Sequence, residues 1–209
     1  MNVKLAAIVL GSSIAVAMVL PNAQARQDKI LDGCYVPVSG YARSSVFLER
    51  DETGVPVIEG NLPIIQQLGQ YQAIFERTNW NELPGWEKSR LIQRFVLDGP
   101  FRGKCNPEAS DPCASVNHVL GSSERVGFLY TGGDVAIPTA PPVVCDDQGD
   151  VVLTVEETLF PVLGDGAFEG LDTDADNSFT VEGTINQCTG LNDFDVIRGG
   201  GQICFSSED

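Results

Sequence analysis

The chain has one histidine, His118, in 209 residues, so any serine-based catalytic triad would have to be built on it. Nothing around the serines offers a nucleophile: no G-x-S-x-G elbow occurs, and Ser115, Ser122 and Ser123 stand in ordinary turn and strand contexts. The triple glycine Gly199-Gly200-Gly201 precedes no helix and matches no phosphate-loop scheme, which excludes that mode of nucleotide binding. Basic residues are also scarce, 13 Lys and Arg against 29 Asp and Glu. A formal charge of −16 repels phosphate backbones and anionic lipid headgroups, so nucleic acid is excluded as a partner. Beyond residue 25 no apolar run approaches the roughly 20 residues that a bilayer asks for.

What is present begins with a leader. Lys4 is followed by an uncharged, mostly apolar run over residues 5–20 and then by Pro21-Asn22-Ala23-Gln24-Ala25, ending in an A-x-A step. This is the layout of a secretory signal peptide cleaved after Ala25, which places the protein in the periplasm or outside the cell, with no membrane contact after cleavage. Without residues 1–25, which hold Lys4 and no acid, 12 basic side chains face 29 acidic ones, a net −17. A hydrophobic content of 43% with only 20% charged residues indicates a folded globule. All six cysteines (34, 105, 113, 145, 188 and 204) follow the cleavage point and read as three disulfides. Cys105 and Cys113 flank a turn-rich segment stiffened by Pro107 and Pro112, the natural place for a local bridge. The remaining four have three possible pairings, and a long-range bridge from Cys34 to the C-terminal half is the expectation.

The grammar then divides into three stretches: the signal at 1–25, an N-terminal segment at 26–98 and a β region at 99–209. Residues 26–58 hold short apolar runs broken by Pro37, Gly40, Gly54 and Pro56. From Asn61, a good N-cap, Ile64, Ile65, Leu68, Tyr71, Ile74 and Phe75 recur at helical spacing. Trp86, Leu91, Ile92, Phe95 and Val96 then predict a second helix that stops at Asp98-Gly99-Pro100. The expectation is a helical hairpin over about 61–97, with Trp80 and Trp86 as core filling. After Gly99 the pattern becomes short alternating segments at 101–104, 115–120, 127–130, 151–160, 166–171, 179–187 and 194–205. Turn residues join them, among them Gly132-Gly133-Asp134. Evenly spaced short strands predict an antiparallel sandwich or barrel, with closure favoured because it removes exposed edges.

The succession His118-Val-Leu-Gly and Gly127-Phe-Leu-Tyr-Thr-Gly-Gly-Asp carries a resemblance. It continues through Val155-Glu156-Glu157, Gly164-Asp-Gly-Ala-Phe-Glu-Gly, Gly183-Thr-Ile-Asn-Gln-Cys-Thr-Gly and the final Phe194 strand. Over about residues 95–205 this resembles small secreted bacterial β-barrel proteins related to the allene oxide cyclase and dirigent barrels. The resemblance implies a mainly β fold, an eight-stranded antiparallel, lipocalin-like barrel with a small apolar lumen, to which the helical hairpin would be added.

Candidate sites follow from local chemistry. Asp172, Asp174 and Asp176 alternate on a tight loop with Ser178, a hard-oxygen set suited to Ca²⁺, although Gly183 stands where an EF-hand places its bidentate Glu. Ca²⁺ is the only cofactor this sequence points to. His118 is a candidate for the barrel mouth, while a zinc site from Cys105, Cys113 and His118 has unorthodox spacing and competes with disulfide formation. Glu156 and Glu157 are adjacent on one strand, so one points inward and the other outward. An inward glutamate would have a raised pKa, could act as a general acid, and would call for a partner such as Arg125 or Arg198.

Three readings of function remain open. The first is a non-enzymatic barrel binding a small apolar ligand or a surface partner, which a purely apolar lumen would favour. The second is a cyclase or isomerase of the allene oxide cyclase type, favoured by a lumen where His118, a Glu and a Tyr converge. The third is a structural or matrix protein whose acidic loops hold Ca²⁺.

Overall fold

Along residues 65–77, Tyr71, Ala73, Phe75 and Arg77 are buried while Gln70, Gln72 and Glu76 are exposed. That is a period of two, and it belongs to a strand. The computed structural model describes residues 29–206 except 49, 56, 60, 61, 64, 106–114 and 148. The expected signal segment and the Cys105–Cys113 bridge, which needs Cys113, lie outside the described residues. The helical hairpin does not form. Its first half is strand β4 (Ile65–Arg77, with β1 to β3 given below), and its second half is a six-residue helix, α1 (Gly85–Arg90), followed by strand β5 (Arg94–Cys105). The physical reason is that the apolar positions satisfy both periods, and pairing of β4 with β5 from Gln66↔Lys104 to Glu76↔Arg94 outweighs local helix propensity. Asp98-Gly99-Pro100, expected to end a helix, lies inside β5. Pro100 is tolerated because the ladder to the next strand begins only at Arg102. Trp86 is 65% exposed and Trp80 half-buried, so neither fills the core.

The other strands are β1 (Gly33–Leu48), β2 (Ile58–Glu59), β3 (Leu62–Pro63), β6 (Ser115–Gly121), β7 (Phe128–Thr131) and β8 (Asp134–Pro138). They continue with β9 (Val143–Val144), β10 (Val151–Leu159), β11 (Pro161–Gly164), β12 (Ser178–Asn186) and β13 (Leu191–Phe205). Residues 166–171, expected as a strand, instead hold a 3₁₀ turn at Gly166–Phe168. The fold is mainly β. One antiparallel sheet runs in the order β11-β7-β6-β5-β4-β1-β13-β12-β10-β8, and pairing of β6 with β8 closes a ring of eight. Five of the ring's strands, β5, β6, β10, β12 and β13, fall on segments the strand pattern pointed to, whereas β8 starts in the Gly132-Gly133-Asp134 segment read as a turn and β1 and β4 come from the N-terminal segment.

Two of the ring's staves are bent. β7 and then β8 run along β6, separated by Gly132-Gly133, and β10 and then β11 run beside them, separated by Phe160. Gly133 sits at φ +71°, a conformation that glycine adopts without steric cost. One extra residue in a ladder kinks it and re-aims the neighbouring side chains.

Inward residues pack at one end of the ring as a group of rings. Phe75 and Phe95 stack at 4.9 Å, and Tyr35, Phe168 and Phe205 meet Phe95 edge-on within 5.9 Å. The buried Tyr35 hydroxyl donates to the Ile92 carbonyl at 2.8 Å. Buried Arg77 donates to the Asp32 carbonyl and pairs with its carboxylate at 3.3 Å. Cys34 is joined to Cys204, directly opposite in the β1–β13 register, and this is the expected long-range bridge. Cys145 is joined to Cys188, tying the turn before β10 to the turn before β13.

Candidate functional site

Six ring strands each send one polar side chain inward at about one level. Asn192 on β13 lies opposite Ser44 on β1, and Ser44 accepts a hydrogen bond from Gln67 Nε2 of β4 at 2.7 Å. Gln67 and His118 of β6 flank Gly103 of β5, each paired with it in register. Gly103 is what lets the two meet: a Cβ there would stand 2.9 Å from the imidazole and 3.0 Å from the Gln67 carbonyl oxygen. His118 Nε2 lies 3.1 Å from Gln67 Oε1, and Nδ1 lies 2.7 Å from Asp134 Oδ2 of β8. Glu157 of β10 completes the belt, with Oε1 3.9 Å from His118 Nε2.

Asp134 is the hub, and the bent staves explain why. The kink at Phe160 frees its N–H from the strand ladder, and Asp134 Oδ1 accepts it at 2.8 Å, while Gly132 N–H reaches the Phe160 carbonyl at 3.0 Å. Asp134 Oδ2 accepts both the His118 ring and the Thr131 hydroxyl, and Thr131 Oγ1 accepts the His118 backbone N–H at 2.8 Å. His118, Asp134 and Glu157 are all buried, at 3%, 0% and 6% exposure. A buried polar cluster of this kind is tolerable only because its members satisfy one another.

Burial by itself disfavours a charged His118, but the hydrogen bond to Asp134 and the charges of Glu157 and Asp134 outweigh it and raise its pKa above the ordinary value. Burial raises the Glu157 pKa, against the pull of His118 and with a further push from Asp134. Both groups therefore hold protons more tightly than free side chains do. The buried Tyr71 hydroxyl, also raised by burial, donates to the Gly121 carbonyl at 2.5 Å.

These groups border a cavity of about 40 Å³. Apolar side chains form most of its wall, among them Phe101, Leu120, Phe179, Val181 and Phe194, and Gln67, Tyr71, His118 and Glu157 supply the polar part. The lining also includes Tyr41, which is 41% exposed and brings the cavity to the surface. Among the described residues one further polar atom is notable: buried Asn192 Oδ1 has no hydrogen-bond partner.

Of the residues singled out from sequence, His118 and Glu157 come together, and Glu156 points to solvent, so the pair of glutamates splits one in and one out. The basic group facing Glu157 is His118, whereas Arg198 is exposed. Both His118 ring nitrogens face oxygen partners, and Cys113 lies outside the described residues. Asp172, Asp174 and Asp176 are not gathered: the Asp172 carboxylate accepts the Asp174 N–H at 3.1 Å, and Asp174 and Asp176 are exposed. Asn177 is buried and joins that loop to β13, donating to the Asp172 carbonyl at 2.7 Å and accepting the Cys204 N–H at 2.8 Å. The one group of three metal-competent side chains among the described residues is Asp146, Asp150 and Cys188, and Cys188 is in a disulfide. Gln67, Thr131 and Asp134 escape sequence reasoning, because Gln67 lies in a segment with helical spacing and Asp134 follows two glycines that read as a turn. No protein-family model, no curated protein and no solved structure matches the chain.

Proposed function

We propose that this protein is an exported, disulfide-stabilised, lipocalin-like barrel that binds a small, largely apolar molecule in its lumen, with one polar group of that molecule set against His118. The cavity carries the reading. Its wall is apolar over most of its extent and polar at one place, where the belt of Gln67, His118 and Glu157 stands, which is the usual composition of a small-molecule site. Its about 40 Å³ holds roughly three waters, so the guest is a molecule of a few heavy atoms. Two disulfides agree with folding in an oxidising compartment, where the leader at 1–25 would deliver the chain.

A second reading, a cyclase or isomerase as the allene oxide cyclase and dirigent resemblance implies, is favoured by one observation. Tyr71, His118 and Glu157 all line the cavity beside Gln67, so its polar part includes three groups able to hold and release protons. The binding reading is tested by native mass spectrometry of protein purified from its own host, together with an NMR titration using cyclopentanol. A retained small molecule, or saturable shifts at His118, Leu120 and Val181 that vanish in Ala73→Leu, is the expected result. No retained molecule and no shift at those residues would refute it.

A further inference from the structure

We propose that His118 and Glu157 form an acid–base pair that moves a proton on a small ketone or enone held in the lumen. Glu157 takes the proton from the carbon beside the carbonyl, and His118, held by Asp134, donates its Nε2 proton to the carbonyl oxygen. The inference rests on the lumen-binding reading above and adds the chemistry. Its geometric basis is the 3.9 Å separation of His118 Nε2 and Glu157 Oε1 on one wall of the cavity, which suits a carbonyl oxygen and the C–H two bonds away. Both ring nitrogens face oxygen acceptors, Asp134 Oδ2 and Gln67 Oε1, so the ring is placed to donate at both ends, and a carbonyl oxygen entering the cavity competes with Gln67 Oε1 for the Nε2 proton. Gln67 Oε1 is oriented by the bond from its own amide nitrogen to Ser44.

The step balances without a cofactor. The C–H pair becomes the C=C bond of an enol, the carbonyl π pair takes the His118 proton, and Glu157 is left protonated beside a neutral imidazole. In a β,γ-unsaturated ketone the enol is a dienol: the Glu157 proton returns to the γ carbon as the C=C pair moves to the α,β position, the enol proton returns to Nε2, and the conjugated enone leaves with both groups restored; in a saturated ketone the proton returns to the α carbon, which exchanges it. The buried glutamate's heightened proton affinity makes it a stronger base than a surface carboxylate.

The test follows hydrogen–deuterium exchange of methyl ethyl ketone in D₂O by ¹H NMR, using the disulfide-intact protein. Exchange about 100-fold above buffer is expected. It should fall to background in Glu157→Gln and persist in Glu156→Gln, whose side chain faces solvent. A pH profile of the unsubstituted protein serves as the readout that needs no variant. It should be bell-shaped, limited by protonation of Glu157 on one side and deprotonation of His118 on the other, with Asp134, Gln67, Thr131 and Phe101 the other groups around the ring. Saturable shifts of the His118 ring by the ketone without accelerated exchange would overturn the acid–base proposal and leave binding intact. Neither shifts nor exchange would overturn both, and exchange retained in Glu157→Gln would overturn the assignment of the base.

Discussion

The two ends of the ring spend their inward positions in opposite ways. At one end Tyr35, Phe75, Phe95, Phe168 and Phe205 fill the interior with mutually packed rings. At the other, Asn192, Ser44, Gln67, His118, Asp134 and Glu157 form a polar belt beside a cavity. Aromatic packing is non-directional and stabilises wherever area is buried, whereas each polar group on the belt is tolerable only through a specific neighbour. The comparison teaches that one half of the interior supplies stability and the other is arranged around a single imidazole. The Cys34–Cys204 bridge falls beside Tyr35 and Phe205, reinforcing the end that is already dry and close-packed.

The contrast is open to breaking at either end. Phe95→Ala should be the costliest single change, about 3–5 kcal/mol by denaturant unfolding of the oxidised protein, because its ring touches Tyr35, Phe75, Phe168 and Phe205. Asp134→Ala should cost about 3 kcal/mol by the same measurement, since it strands the Phe160 N–H, the Thr131 hydroxyl and the His118 ring together. If it cost nothing, the belt would be dispensable to the fold.

A smaller effect concerns pH. Glu157 and His118 both have folded pKa values above their ordinary 4.5 and 6.5, so each contribution is present below the ordinary value and is lost as pH rises through the folded one. Melting temperatures of the unsubstituted protein should therefore fall relative to Glu157→Gln as pH is raised from 4.5 through neutrality. A constant gap would contradict the coupling of the pair. The smallest expected effect is that of calcium. With Asp172, Asp174 and Asp176 ungathered, melts in calcium and in EDTA should coincide, and a raised melting temperature in calcium would restore the loop as a cation site.

Much of the ring was legible from alternation alone. Val155, Glu157 and Leu159 point in while Glu156 points out, so the pattern placed one carboxyl inside the ring, but the partner it called for was an arginine, Arg125 or Arg198, where the structure puts His118. The N-terminal staves were hidden for a physical reason. Inward Gln67 and Arg77 interrupt the apolar period of β4 because they serve the belt and the Asp32 contact, and what remains mimics a helix. Asp98-Gly99-Pro100 misled likewise, since a proline can sit where one neighbour's ladder has not begun. Asp134 was legible only as a turn residue, its role arising from a kink that brings Phe160 against it.

The single histidine makes the central claim directly measurable by ¹⁵N NMR of its ring across pH. If the buried His118 is held by Asp134 within a polar belt, its titration midpoint lies above 6.5 and drops in Asp134→Asn, with both ring nitrogens hydrogen-bonded. A midpoint at or below 6.5 that ignores the loss of the Asp134 carboxylate would contradict the account.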